Sequence, residues 1–171
     1  MSVLAPAPES VLRKPMKLPA PAVLLIFATL VFTSCKGVLE RYPQARYLNS
    51  PSRSDDLPFS HAVLAGDTLY VAGTLGIDPR TGEPPDDPEA EIRLMLDGFR
   101  DKLSLGGMTM DDLVSVQIFA SDPSLYGTFN TVYSTYFKRR YLPARAFIGS
   151  GPLLRGARFE ITGVAVQQAG R

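Results

Sequence analysis

Residues 87–107 read DPEAEIRLMLDGFRDKLSLGG, and this stretch decides how the rest of the chain is interpreted. Asp87 before Pro88 is typical of a helix N-terminus, because aspartate accepts hydrogen bonds from free backbone N–H groups and proline fits the first turn. Apolar residues then recur at the spacing of one helix face, until Gly106 and Gly107 end the pattern. The predicted amphipathic helix has a buried face made of Ile92, Met95, Leu96, Phe99 and Leu103.

Five strand-like segments and a second helix surround this helix. The strand-like segments are residues 61–65, 68–73, 113–120, 144–148 and 158–166. The first two flank a Gly66-Asp67 turn and predict a β-hairpin. Residues 125–140 predict the second helix, whose stripe of aromatic residues at helical spacing predicts a buried face. The stripe consists of Tyr126, Phe129, Tyr133 and Phe137. The order ββαβαββ, with both helices on one face of the sheet, predicts a two-layer α+β domain over residues 57–168.

The N-terminal third has a different composition. Arg13, Lys14 and Lys17 precede an apolar run over residues 18–32, as in a secretory signal peptide. Thr33-Ser34-Cys35 resembles a bacterial lipobox, in which the cysteine is lipidated and becomes the new N-terminus.

We therefore predict a lipoprotein-type signal over residues 1–34, lipidation of Cys35, and a polar linker over residues 36–56. This gives a protein exported to the cell envelope and held at the membrane by lipid. The first alternative is an uncleaved N-terminal membrane anchor. The second is a mis-assigned start codon upstream of a cytoplasmic protein.

The charge and the cysteine content exclude several classes of function. Lys plus Arg number 18 against 17 for Asp plus Glu, so nothing in the charge favours nucleic acid as a partner. One Cys and one His do not supply a disulfide framework or a zinc site of the usual kind. We expect no metal and no organic cofactor.

Two charged residues interrupt otherwise apolar strands. Arg145 starts a predicted interior strand, where its planar guanidinium needs an anionic partner and suits a carboxylate. Glu160 lies in the last strand, where a carboxylate is placed to orient a water molecule or accept its proton. The structural alternatives are a salt bridge between the two residues, and an exposed edge-strand position for Glu160. His61, the single histidine, lacks the nucleophile that an acyl-transfer triad requires.

The segments together resemble the RidA/YjgF family of reactive-intermediate deaminases. The resemblance covers about residues 57–167, in order and without large gaps. It is carried by residues 58–62, 71–73, 77–83, 126–136 and 142–145, and by Glu160-Ile161 fifteen residues after Arg145. The most specific block is Leu142-Pro143-Ala144-Arg145.

This resemblance implies a chorismate-mutase-like fold, a homotrimer with a central barrel, and clefts between subunits. It implies that Arg145 binds the carboxylate of a small 2-imino acid and that Glu160, with backbone groups near Gly73, places the attacking water. Phe59, Gly73, Asn130 and Phe147 then take substrate-binding positions. The implied reaction gives a 2-oxo acid and ammonia.

Several positions depart from the family pattern. Phe59 stands where Tyr is common, Thr74 where Gln is frequent, and Phe147 where many members carry Cys; Gly149 and Ser150 replace more charged residues. These changes predict a more apolar pocket that accepts larger substrates. The alternative function is a non-catalytic trimer of the same fold that binds small carboxylates or protects unfolded proteins. Endoribonuclease activity, attached to some family members, gains no support from the charge.

Overall fold

The computed structural model describes residues 45–53 and 55–168. The strands are β1 (Arg46–Leu48), β2 (Ala62–Ala65), β3 (Thr68–Leu75), β4 (Leu113–Ala120), β5 (Ala144–Gly149) and β6 (Phe159–Val166). The helices are α1 (Pro88–Leu105) and α2 (Tyr126–Tyr133). Short 3-10 turns join several of these elements.

One six-stranded sheet forms the described domain, in the order β1-β2-β3-β6-β4-β5. Neighbouring strands are antiparallel, except that β5 runs parallel to β4. The two helices pack on one sheet face and enclose a core that includes Leu69, Phe99, Ile118, Phe129 and Phe159. This is the two-layer α+β architecture predicted from the sequence. The homotrimer with a central barrel stays a prediction.

Helix α1 is built as its sequence predicts. The Asp87 side chain accepts hydrogen bonds from the N–H groups of Glu89 and Ala90, which have no partner inside the helix. Gly106 caps the other end, and Gly107 follows with a φ of 72°, which glycine adopts without strain. The predicted apolar face is fully buried.

The second helix is shorter than predicted. α2 ends at Tyr133, and residues 134–136 and 139–141 form separate 3-10 turns instead of continuing to residue 140. Phe137 adopts an extended backbone, with φ −126° and ψ 142°, and its ring is buried in the core. The helix therefore ends before Phe137, because the chain must change direction to place the Phe137 ring in the core.

Three further predictions are corrected by the sheet. Strand β1 lies inside the predicted linker of residues 36–56 and pairs with β2, so the folded part begins before Leu57. β5, predicted as an interior strand, is an edge strand, because the chain returns from α2 alongside β4 at the end of the sheet. β6, for which an edge position was one alternative, lies between β3 and β4.

A β-bulge interrupts β3 at Ala72 and Gly73. The pairing of β3 with β6 shifts register between Val71 and Thr74. A bulge leaves backbone groups without ladder partners, so other groups must satisfy them. Here Thr74 and Lys102 side chains donate to the bulge carbonyls.

The predicted signal of residues 1–34 and the lipidation site at Cys35 lie outside the described residues. Within the part of the chain that the structure describes, no helix has both the length and the apolar character needed to cross a membrane.

Candidate active site

Arg145 is held against α2 by hydrogen bonding and by aromatic rings. Its Nη2 donates to Asn130 Oδ1 at 2.7 Å and, more weakly, to Tyr126 Oη at 3.5 Å. The guanidinium carbon lies 4.6 Å from the centre of the Tyr133 ring, which is cation–π distance. Phe147 packs edge-on against Tyr126 and so supports the aromatic rings that contact Arg145. We call these five residues the arginine cluster.

The positive charge of Arg145 has no acidic counterpart among the described residues. Within residues 45–53 and 55–168, no carboxylate lies within ion-pair distance of Arg145, although its guanidinium is partly buried. The hydrogen bond with Asn130 and the charge of Arg145 hold the pKa of Tyr126 below its usual value. Burial raises the pKa of Tyr133 to about 12, and no hydrogen-bond partner for its hydroxyl occurs among the residues that the structure describes.

Glu160 lies in a separate cleft at the bulge of β3. A Cβ added to Gly73 would lie 2.0 Å from Glu160 Oε1, so the carboxylate occupies the space that any side chain at position 73 would take. The cleft has a volume of about 560 Å³. Its walls are formed by Leu57, Phe59, Ala72, Gly73, Leu75, Leu154, Arg155 and Glu160, and we call it the glutamate cleft. Its large side chains are mainly apolar, and Phe59 is 49% exposed.

Arg53 holds the loop that carries Phe59. Its guanidinium donates to the carbonyl oxygens of Phe59 and Leu57, at 2.6 and 2.7 Å, and pairs with Asp55. It also lies 5.6 Å from the centre of the Phe59 ring. Arg53 lies in the predicted linker, so its contribution was not predicted from the sequence. Residues 52–56 are all polar, a composition typical of a solvated segment, so the role of Arg53 is recognised only from its carbonyl partners.

His61 has a structural role. Its Nδ1 accepts a hydrogen bond from the Ser50 N–H at 3.0 Å, which joins the segment after β1 to the start of β2. Burial, followed by the nearby charges of Lys102 and Arg53, lowers the pKa of His61 and favours the neutral ring that this hydrogen bond requires.

The arginine cluster and the glutamate cleft lie on opposite faces of the sheet. Arg145 is in register with Val116, whose side chain is buried beneath the helices, and it contacts α2. Glu160 alternates with Phe159 and Ile161, which are fully buried on the helix face, so its side chain projects to the other face. The alternative of an Arg145–Glu160 salt bridge is therefore wrong for a single chain.

The predicted site residues thus separate into two groups. Asn130 and Phe147 join Arg145, while Phe59 and Gly73 join Glu160. Tyr126 and Tyr133 were predicted from the sequence to lie in a buried aromatic stripe, without a role in the site. Tyr133 is buried, but Tyr126 is 48% exposed and both lie under the guanidinium. Among the described residues, no three His, Cys, Asp or Glu side chains are grouped so as to hold a metal ion.

The two-layer α+β fold with a mixed sheet and two helices is the fold of RidA/YjgF proteins. The family model described as Endoribonuclease L-PSP matches residues 49–167, and the chain belongs to this family.

Relatives and solved structures agree with this assignment. A RutC family protein of Sulfurisphaera tokodaii is 35% identical over 105 residues, covering 61% of this chain and 83% of the relative. A mouse protein named 2-iminobutanoate/2-iminopropanoate deaminase is 35% identical over 111 residues, covering 64% of this chain and 82% of the relative. The crystal structure of a Rid family protein from Yersinia pestis superposes with a TM-score of 0.66 at 28% identity, covering 72% and 99% of the two chains.

Proposed function

We propose that this protein hydrolyses small 2-imino acids, and their enamine tautomers, to 2-oxo acids and ammonia. Two observations carry the proposal: an arginine without an acidic partner among the described residues on one face of the sheet, and a glutamate set against a bulge glycine on the other. Relatives named imine deaminases support the same reaction class.

Arg145 would bind the substrate carboxylate. Its fork is oriented by Asn130 and by the Tyr133 ring, and a guanidinium held in this way recognises a carboxylate with two parallel hydrogen bonds. The partly buried position strengthens the attraction, because less water screens the charges. Binding at one end of the substrate fixes the direction of its imine carbon.

Glu160 would accept a proton from the attacking water. Oxygen of that water forms a bond to the imine carbon, the C=N double bond becomes a single bond, and a carbinolamine results. The imine reacts in its protonated form, so the nitrogen of the carbinolamine is a neutral amine. Glu160 then returns its proton to that nitrogen, the C–N bond breaks with its electron pair leaving on ammonia, and the hydroxyl proton passes to the ammonia as the C=O bond forms. No electrons are exchanged with another compound. Because an imine is already electrophilic, orientation and charge stabilisation supply most of the required catalysis.

The proposed site draws on two copies of the chain. Side chains on opposite faces of one sheet do not meet around one small ligand, so Arg145 of one copy would face Glu160 of another. A homotrimer with clefts between subunits, as the family resemblance implies, meets this requirement. The exposed Tyr70 and Val114 are consistent with a further contact that covers the open sheet face.

The proposed location is the cell envelope, with the chain held by lipid on Cys35. Support comes from the sequence of residues 13–35 alone. Metabolic labelling with a fatty acid, compared between the wild-type chain and Cys35→Ser, tests this part independently of the reaction.

Imine hydrolysis by the full-length chain tests the reaction. An amino-acid oxidase generates 2-imino acids in place, and competition with semicarbazide measures their lifetime. We expect the wild type to remove imine faster than buffer, and Arg145→Ala to lose at least about 10²-fold in kcat/KM. Arg139→Ala, an exposed arginine in the turn that follows α2, is the matched control. A wild type that matches buffer but binds 2-oxo acids would instead indicate the non-catalytic binding protein.

A further inference from the structure

Lys102 is a partly buried cation that the proposed mechanism does not use. It lies in the last turn of α1, and its side chain reaches the bulge of β3 from the helix side of the sheet. Its Nζ donates to Gly73 O at 2.7 Å and to Ala72 O at 3.5 Å. Both carbonyls belong to the two residues where the β3–β6 ladder is interrupted.

The geometry of the peptide group makes these contacts directional. In a trans peptide the C=O and the following N–H point in opposite directions, so holding the Gly73 carbonyl toward Lys102 directs the Thr74 N–H away from it. The Ala72 carbonyl and the Gly73 N–H are related in the same way. Lys102 therefore fixes the orientation of the two peptide units that frame Gly73, against whose Cα the Glu160 carboxylate lies.

We propose that Lys102 is a positioning residue for the candidate site, which holds the β3 bulge from behind and so places Gly73 against the Glu160 carboxylate. This inference rests on the proposed function, because the positioning matters for turnover only if Glu160 acts on water. Without the ammonium, the bulge carbonyls lose their strongest donor and the peptide units are free to turn. The site would then keep its residues but lose their alignment.

The charges around Lys102 make its positioning dependent on pH. Burial lowers the pKa of Lys102 to about 8, while the Glu160 carboxylate across the sheet opposes this shift. His61, before β2, is a further titratable group in this region, and its own pKa is lowered in part by Lys102 and Arg53 and raised by Asp55. Below pH 8 the ammonium donates to the carbonyls as a charged group, and above pH 8 the neutral amine does so more weakly.

The test compares three variants of the full-length chain. Lys102→Met removes charge and donor at similar length, Lys102→Arg keeps both, and Lys138→Met removes an exposed lysine paired with Asp111. We expect Lys102→Met to lose about tenfold in kcat with KM changed less than about threefold, since the binding arginine is untouched. Lys102→Arg and Lys138→Met should stay within about threefold of wild type.

The pH profile provides a readout that a purely structural role would not move. We expect the wild-type kcat to fall as the pH rises through about 8, and this limb to be absent in Lys102→Arg, whose guanidinium stays charged. A folded Lys102→Met with wild-type kcat refutes the inference. Identical pH profiles for wild type and Lys102→Arg also refute the inference. This second test holds even if Lys102→Met does not fold.

Amide NMR shifts separate this inference from the proposed function. The N–H signals of Gly73 and Thr74 should titrate near pH 8 in the wild type and not in Lys102→Arg, whether or not imines are hydrolysed. Titrating shifts without any imine hydrolysis would refute the deaminase and leave the contact intact. Hydrolysis with no titration of these amides would refute the role of Lys102 and leave the deaminase intact.

Discussion

Substituting Gly73 by alanine should displace the Glu160 carboxylate while changing the free energy of unfolding only slightly. The effect of the Glu160 position on turnover can then be measured in a folded protein. The new methyl group would start 2.0 Å from Glu160 Oε1, whereas ordinary van der Waals contact begins near 3.4 Å. The carboxylate must therefore move by about 1.4 Å, the difference between these distances. Because the displaced group is the end of a flexible side chain, we expect unfolding to become easier by only about 1 kcal/mol. A displacement of about 1 Å in a reacting group lowers turnover by about 10²-fold.

The assay is imine hydrolysis together with urea unfolding of the full-length chain. Gly151→Ala is the matched control, because a Cβ there meets nothing within 4 Å and its backbone does not have a positive φ. We expect the control to keep both wild-type activity and wild-type stability. Gly73→Ala with kcat/KM within about threefold of wild type would show that the Glu160 position does not limit the reaction. The reasoning would also be refuted if the free energy of unfolding fell by as much as the free energy that corresponds to the lost kcat/KM.

Two further predictions concern buried polar groups. Glu91 is fully buried and accepts hydrogen bonds from Arg158 N, Arg158 Nε and Phe159 N, so Glu91→Gln should lower the free energy of unfolding by about 3–5 kcal/mol. Glu89→Gln on the exposed side of α1 should change it by less than about 0.5 kcal/mol, and equal effects in urea unfolding would contradict this view. Tyr133→Phe removes a buried hydroxyl without a partner, so unfolding should become harder by about 1 kcal/mol; a destabilised variant would indicate an undetected partner for that hydroxyl.

The sequence predicted those helices and strands whose formation depends on residues close to one another in the chain. Helix α1 follows from the Asp87 cap, the apolar spacing and the two closing glycines, all within 21 residues. The second helix failed after Tyr133 because Phe137 is drawn into the core by contacts that no local pattern records. Strand β1 has three residues, too few for an alternation of side chains to be recognised.

The site depends more on distant contacts than the elements do. Arg145 and Glu160 stand out as charges within apolar strands. Their placement on opposite faces follows from the pairing registers on β4, where Arg145 lies beside Val116 and Glu160 beside Phe119. The bulge at Gly73 is created by pairing with β6, about ninety residues further along the chain. The functions of Lys102 and Arg53 are equally invisible in the sequence, because their partners are backbone carbonyls, which every residue possesses.

Because Arg145 and Glu160 lie on opposite faces of the sheet, the number of complete sites in an assembly depends on how its subunits are arranged. If each site combines the arginine of one copy with the glutamate of the next, the contact is head-to-tail rather than self-complementary. An open row of copies then leaves one unused arginine at one end and one unused glutamate at the other. Only a closed ring provides as many complete sites as it has subunits, so ring closure itself would determine the number of working sites for each chain.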